Sequence, residues 1–126
     1  MIKLMSFIRR RSDLTQEEFF AHWRDVHRPL IEQHAATLGI KRYVQTHARH
    51  SEVAAAMNAR YGADGQEPYD GVAELWIESI EALSHEPNEA QRAAIEAIGA
   101  DEPTFIDLAN SYQFVGEEEF TEVDGS

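Results

Sequence analysis

Two stretches of this chain are apolar on both faces, and that limits what it can fold into. In residues 2–10, Ile2, Leu4, Ser6 and Ile8 alternate with Lys3, Met5, Phe7 and Arg9. In Gly71 to Glu78, Val72, Glu74 and Trp76 alternate with Ala73, Leu75 and Ile77. Successive side chains of a strand point to opposite faces of the sheet. Both strands therefore need cover on two sides. A chain of 126 residues holds one core, not two, so one layer of helices leaves the second face to meet something else.

The rest of the pattern names the architecture. Residues 40–49 and Ser111 to Glu117 read as further strands. On the second strand Ile40, Arg42, Val44, Thr46 and Ala48 share one face, and Lys41, Tyr43, Gln45, His47 and Arg49 share the other. Helical periodicity lies between the first and second strands. It recurs after the third, where Ala90, Ala94, Ile95 and Ile98 form a stripe that Gly99 is expected to stop. The order strand, helix, strand, strand, helix, strand is the ferredoxin-like α+β arrangement, βαββαβ. A second copy is the simplest cover for the bare face, since symmetric pairs are the commonest oligomers. Two such sheets packed face to face form a dimeric α+β barrel. The expected domain is 1–117, followed by an acidic tail, 118–126. The segment 51–70, with an alanine-rich helix over Val53 to Ala59 and then Gly62, Gly65 and Pro68, reads either as a lid or as a surface loop.

The first helix carries the densest signal. Thr15 and Glu18 have the capping-box spacing, so a helix should start at Thr15 or Gln16. Phe19, Trp23, Val26, His27 and Leu30 then give one apolar face. Pro29 lacks an N–H and its ring crowds the carbonyl of Asp25, which predicts a break over Val26 to Arg28. A second helix should run from Pro29 to about Leu38 and close at Gly39.

Composition removes several functions. Without cysteine there is no disulfide and no thiolate chemistry. A formal net charge of −12 disfavours nucleic acid as a partner. Neither a membrane-length apolar run nor a signal-peptide layout is present, so the expectation is no membrane partner and a cytoplasmic location. The basic run Arg9-Arg10-Arg11 either meets an anionic ligand or ends a strand in solvent. Histidine spacings do not suit a metal: His22 and His27, five apart, do not share a face of a regular helix, and no HExxH is present.

Acid–base chemistry at histidine is what remains. His27 lies on the apolar face near the expected break, as a proton carrier or as a cap on the opened carbonyls. Tyr43 and His47 share a strand face, either in a pocket or at a dimer seam. Trp23 and Trp76 are core residues or pocket walls.

Several stretches together resemble EthD-domain proteins. They are Ile2-Lys3-Leu4-Met5-Ser6-Phe7-Ile8-Arg9-Arg10, Leu14-Thr15-Gln16-Glu17-Glu18-Phe19, His22-Trp23-Arg24-Asp25-Val26-His27-Arg28-Pro29-Leu30, Tyr69-Asp70-Gly71-Val72-Ala73-Glu74-Leu75-Trp76, and the close from Phe105 to Glu118. The resemblance implies a dimeric α+β barrel. It also implies kinship with small enzymes that need no cofactor, such as cyclases, isomerases and dehydratases, in catabolic or polyketide pathways. On that reading His27 moves a proton and Tyr43 or Arg42 holds a developing oxyanion. Trp23 and Trp76 contact a compact apolar or aromatic substrate, His47 and Asp70 join them on their positions in the chain alone, and metal and cofactor are absent. The rival expectations are a non-catalytic dimeric accessory protein of a degradation operon and a cofactor-free monooxygenase.

Overall fold

The computed structural model describes residues 1–125. Four antiparallel strands, β1 (Ile2–Ile8), β2 (Ile40–His47), β3 (Gly71–Ile77) and β4 (Tyr112–Glu117), lie in the order β2-β3-β1-β4. With the helices in chain order this is the ferredoxin-like α+β fold. β1 is central, pairing Leu4 with Leu75 on one side and with Val115 on the other. Between β2 and β3 the register shifts between Ile40 and Arg42. This bulge gives β2 one extra residue and turns Ile40 onto the face of Tyr43 rather than that of Arg42.

The helix over the sheet begins as α1 (Gln16–His22), with Thr15 as N-cap and Glu18 completing the capping box. It does not break at Pro29. Instead it passes through one π turn, Trp23–His27, into α2 (Arg28–Leu38), and Arg28 keeps right-handed helical angles. The Arg28 N–H bonds the Trp23 carbonyl, five residues back. A proline ring clashes with the carbonyl four residues earlier. Widening the turn by one residue is a milder answer to that clash than ending the helix. The side chain of Arg28 donates Nε–H to the Arg24 carbonyl at 3.1 Å. The added residue rotates the buried face: Phe19, Phe20, Trp23, His27 and Ile31 are buried, whereas Val26 is 46% exposed. Gly39 closes α2 in the left-handed conformation, φ 73°.

The excursion after β2 is a regular helix, α3 (Ser51–Arg60), without a buried residue. A four-residue turn, α4 (Glu81–Ser84), precedes α5 (Glu89–Asp101), which starts in a second capping box, Asn88 with Gln91. Gly99 does not end α5; two further residues, Ala100 and Asp101, remain helical. α2 and α5 pack against each other over the sheet.

The three arginines after β1 are held by the chain's own acceptors. Arg9 donates to the carbonyls of Asn110 and Glu67 and lies 4.0 Å from the Tyr69 ring. Arg10 pairs with Asp70, and Arg11 with Asp13. On the outer face of the sheet Trp76 lies between Lys3 and Arg42 and donates its indole N–H to Glu118. Tyr112 and Phe114 on that face are 59% and 50% exposed.

Candidate functional site

A cavity of about 230 Å³ lies between the inner face of the sheet and the helices. Leu4, Ser6 and Ile8 of β1, Tyr43 of β2, and Ala73 and Leu75 of β3 form its floor. Trp23, His27 and Ile31, with Ile95 and Ile98 of α5, close it from above. Glu102 enters just past the end of α5, and Ser111 and Gln113 enter from the side of β4. Most of the lining is aliphatic, with a few polar groups, the usual make-up of a small-molecule site. Its volume is below the roughly 300–1,000 Å³ of drug-sized sites, so it suits a compact ligand.

His27 is the buried polar group of its wall, at 5% exposure. Its Nδ1 lies 2.9 Å from Oδ2 of Asp101, and Nε2 of His22 lies 2.8 Å from Oδ1 of the same carboxylate. One carboxylate thus binds two imidazoles. On a regular helix residues five apart face different ways, but the π turn has just enough extra rotation to bring His22 and His27 to the same side. Burial would by itself raise the Asp101 carboxyl. The hydrogen bonds from His22 and His27 outweigh it and leave the group below its ordinary value. The carboxylate therefore accepts an N–H from His27 Nδ1, which leaves Nε2 as the basic nitrogen.

Tyr43 lines the cavity beside this group. Its oxygen accepts from Nε2 of Gln45 at 3.0 Å, and the same amide nitrogen donates to the Trp23 carbonyl at 2.9 Å, within the π turn. Burial raises the phenol above its ordinary value, which keeps it a neutral donor. Glu102 is also raised, burial again being the largest cause.

The remaining candidates fall elsewhere. His47 stacks on Trp23 with ring centroids 4.5 Å apart and bonds Gln45 Oε1 at 2.8 Å, outside the cavity lining. Burial, then the charges of Arg49 and Arg24, lower its pKa. Arg42 and Trp76 stand against each other on the opposite face of the sheet, since neighbouring strand residues cannot share a face. Asp70 is buried in a clamp, accepting from the Arg10 N–H at 2.9 Å and its guanidinium at 2.6 Å, and so ties the end of β1 to the start of β3. The pattern of residues hid Asp101, Glu102 and the pairing of His22 with His27. A helix taken to end at Gly99 leaves out Asp101. The available signal was the capping box at Asn88, which starts α5 in a register that carries Asp101 toward the first helix.

A family model for the EthD domain matches residues 11–109. The chain belongs to the EthD family. Its fold is similar to the crystal structure of an ethyl tert-butyl ether d (EthD) family protein from Bacillus halodurans C-125, with a TM-score of 0.61 and 19% sequence identity, over 94% of this chain and 99% of that one. No curated protein matches it. In this EthD-family chain, no three histidine, aspartate or glutamate side chains among the described residues are grouped to hold a metal ion. His22, Asp101 and His27 direct their facing atoms to one another. Among the described residues no helix is long and apolar enough to cross a membrane.

Proposed function

We propose that this EthD-family protein is a cofactor-free, cytoplasmic enzyme that moves a proton at His27 on a compact apolar or aromatic molecule bound in the cavity. The observation that carries the reading is a buried imidazole on the cavity wall whose Nδ1 is engaged by Asp101. That bond orients the ring and stabilises the imidazolium formed when Nε2 takes a proton. Tyr43 is the oxyanion partner in this reading. Its oxygen already accepts from Gln45, so its own O–H is left to donate to the ligand. Arg42, on the other face, has no place in that step. General acid–base help of this kind contributes about 10²–10⁴-fold in rate. The reaction class is an isomerisation, cyclisation or elimination, in which protons move without a redox partner.

The working unit in this reading is a homodimer of the 1–117 domain, with 118–126 as its acidic tail. The exposed rings of Tyr112 and Phe114, beside Met5 and Phe7, support a face that a second copy covers.

The predominantly aliphatic lining also suits a protein that holds a small molecule without changing it. The test is incubation with a panel of small aromatic ketones and lactones, followed by mass spectrometry and oxygen measurement. Turnover lost by about 10²-fold or more in His27→Ala supports the proton-transfer reading. Turnover unaffected by that change refutes it. A ligand retained but returned intact supports the accessory reading, and oxygen consumption supports a monooxygenase.

A further inference from the structure

The polar lining of the cavity has a definite charge character. No lysine or arginine lines it. Its ionisable groups are His27, Tyr43 and Glu102. Any positive charge gained by His27 is already matched by Asp101 at 2.9 Å. The nearby cations are engaged elsewhere: Arg9 with two backbone carbonyls, Arg28 with the Arg24 carbonyl, and Lys3 with Glu74 on the opposite face. Ser6 donates to Gln113 at 2.6 Å, and Ser111 accepts the Arg9 N–H while donating to the Asp107 carbonyl. Nε2 of His27, the Tyr43 hydroxyl proton and the Glu102 carboxyl then make no hydrogen bond to the protein among the described residues, although the charge of His27 acts on Glu102.

We infer that the cavity selects an uncharged molecule bearing a hydroxyl or carbonyl group, and that Glu102 is the residue that turns anions away. This rests on the reading that the cavity is the ligand site. An anion would lose its hydration in an apolar chamber, find no counter-ion, and face the Glu102 carboxylate. An ammonium would lose its hydration in the same apolar chamber, with more donors than the few polar atoms of the lining can satisfy. A neutral hydroxyl or carbonyl meets neither obstacle. It can accept from the Tyr43 O–H, and a hydroxyl can also donate to Nε2 of His27.

Benzyl alcohol, benzoate and benzylamine share a ring and differ in charge. Binding is followed by NMR of the histidine rings, with His27 assigned by the signal missing from His27→Gln. Benzyl alcohol is expected to shift the His27 ring and to bind at least about tenfold more tightly than either ion. Glu102→Gln is expected to narrow the gap to benzoate while leaving benzyl alcohol within about threefold of its original affinity. Glu102→Met serves as a second uncharged replacement should the glutamine variant fail to fold. Benzoate or benzylamine binding wild type as tightly as the alcohol overturns the charge selection alone. A gap to benzoate unchanged in both variants removes Glu102 from it. If no probe moves the His27 ring, the cavity is not a ligand site, and the proposed function fails with the inference.

Discussion

Asp101→Asn is the sharpest test of the site, because one carboxylate binds both His22 and His27. Its hydrogen bonds to the two imidazoles, of 2.8 and 2.9 Å, are made at a side chain only 13% exposed, which also accepts from the Thr104 hydroxyl at 3.2 Å. Asparagine retains one acceptor and turns an NH₂ toward the other imidazole, so one charge-assisted bond is lost and the second becomes neutral. Hydrogen bonds to charged groups contribute about 1.5–3 kcal/mol each, so the variant should lose about 2 kcal/mol at neutral pH. For a domain of this size that is a fall of roughly 6–10 °C in Tm. The pH dependence follows from the depressed pKa of Asp101. A carboxyl whose folded value lies below its unfolded value, about 3.9, stabilises the protein above that unfolded value. The contribution is lost as pH falls through the folded value. Urea unfolding at pH 7, 5 and 3 should therefore show the full gap between wild type and Asp101→Asn at pH 7 and 5. By pH 3 the gap should be narrowing. His22→Gln, which removes one of the two partners, should give a smaller loss. A variant as stable as wild type at pH 7, or a gap that widens between pH 5 and pH 3, where Asp101 itself begins to protonate, would refute the bridging role.

Three further outcomes follow from particular contacts. A Cβ on Gly71 would clash with the Trp23 ring and sit 2.8 Å from the Thr46 carbonyl, so Gly71→Ala should destabilise by about 1–3 kcal/mol in urea unfolding. At Gly99, among the described residues and apart from its own helix backbone, a Cβ would meet Glu102 Oε1 alone, at an ordinary 3.9 Å, and the position is helical; Gly99→Ala should stabilise by about 0.5–1 kcal/mol, and a loss instead would contradict α5 running on to Asp101. If the outer sheet face is a dimer seam, Phe114→Glu should shift the protein from dimer to monomer in sedimentation velocity, with little change in the far-ultraviolet circular dichroism.

Much of the frame was legible because it is built from local rules. The Thr15–Glu18 capping box sets where α1 starts, and Gly39, free to adopt positive φ, sets where α2 ends. Alternation along β1 and β3 identifies both the strands and their two apolar faces, because strand periodicity is a property of the backbone alone. The element order then leaves few topologies, and the ferredoxin-like one follows. His27, Tyr43 and Trp23 were legible as candidates on the same grounds, residue type and face.

The arrangement of the site was decided by packing. Whether Pro29 breaks a helix or widens it depends on what the new turn can bond. Here the side chain of Arg28 takes the Arg24 carbonyl, and Gln45 of β2 takes that of Trp23. Only with the turn widened do His22 and His27 face the same way. Their partner, Asp101, is 79 and 74 residues away along the chain. Gly99 was a plausible stop by propensity, yet the contacts of α5 with α2 carry the helix past it, since burial of an apolar face outweighs a propensity deficit of about 1 kcal/mol. The sequence by itself determined the strands, the capped helix and the identity of the histidine. Tertiary structure decided that this histidine meets a carboxylate and a cavity, because those depend on long-range contacts that no local period contains.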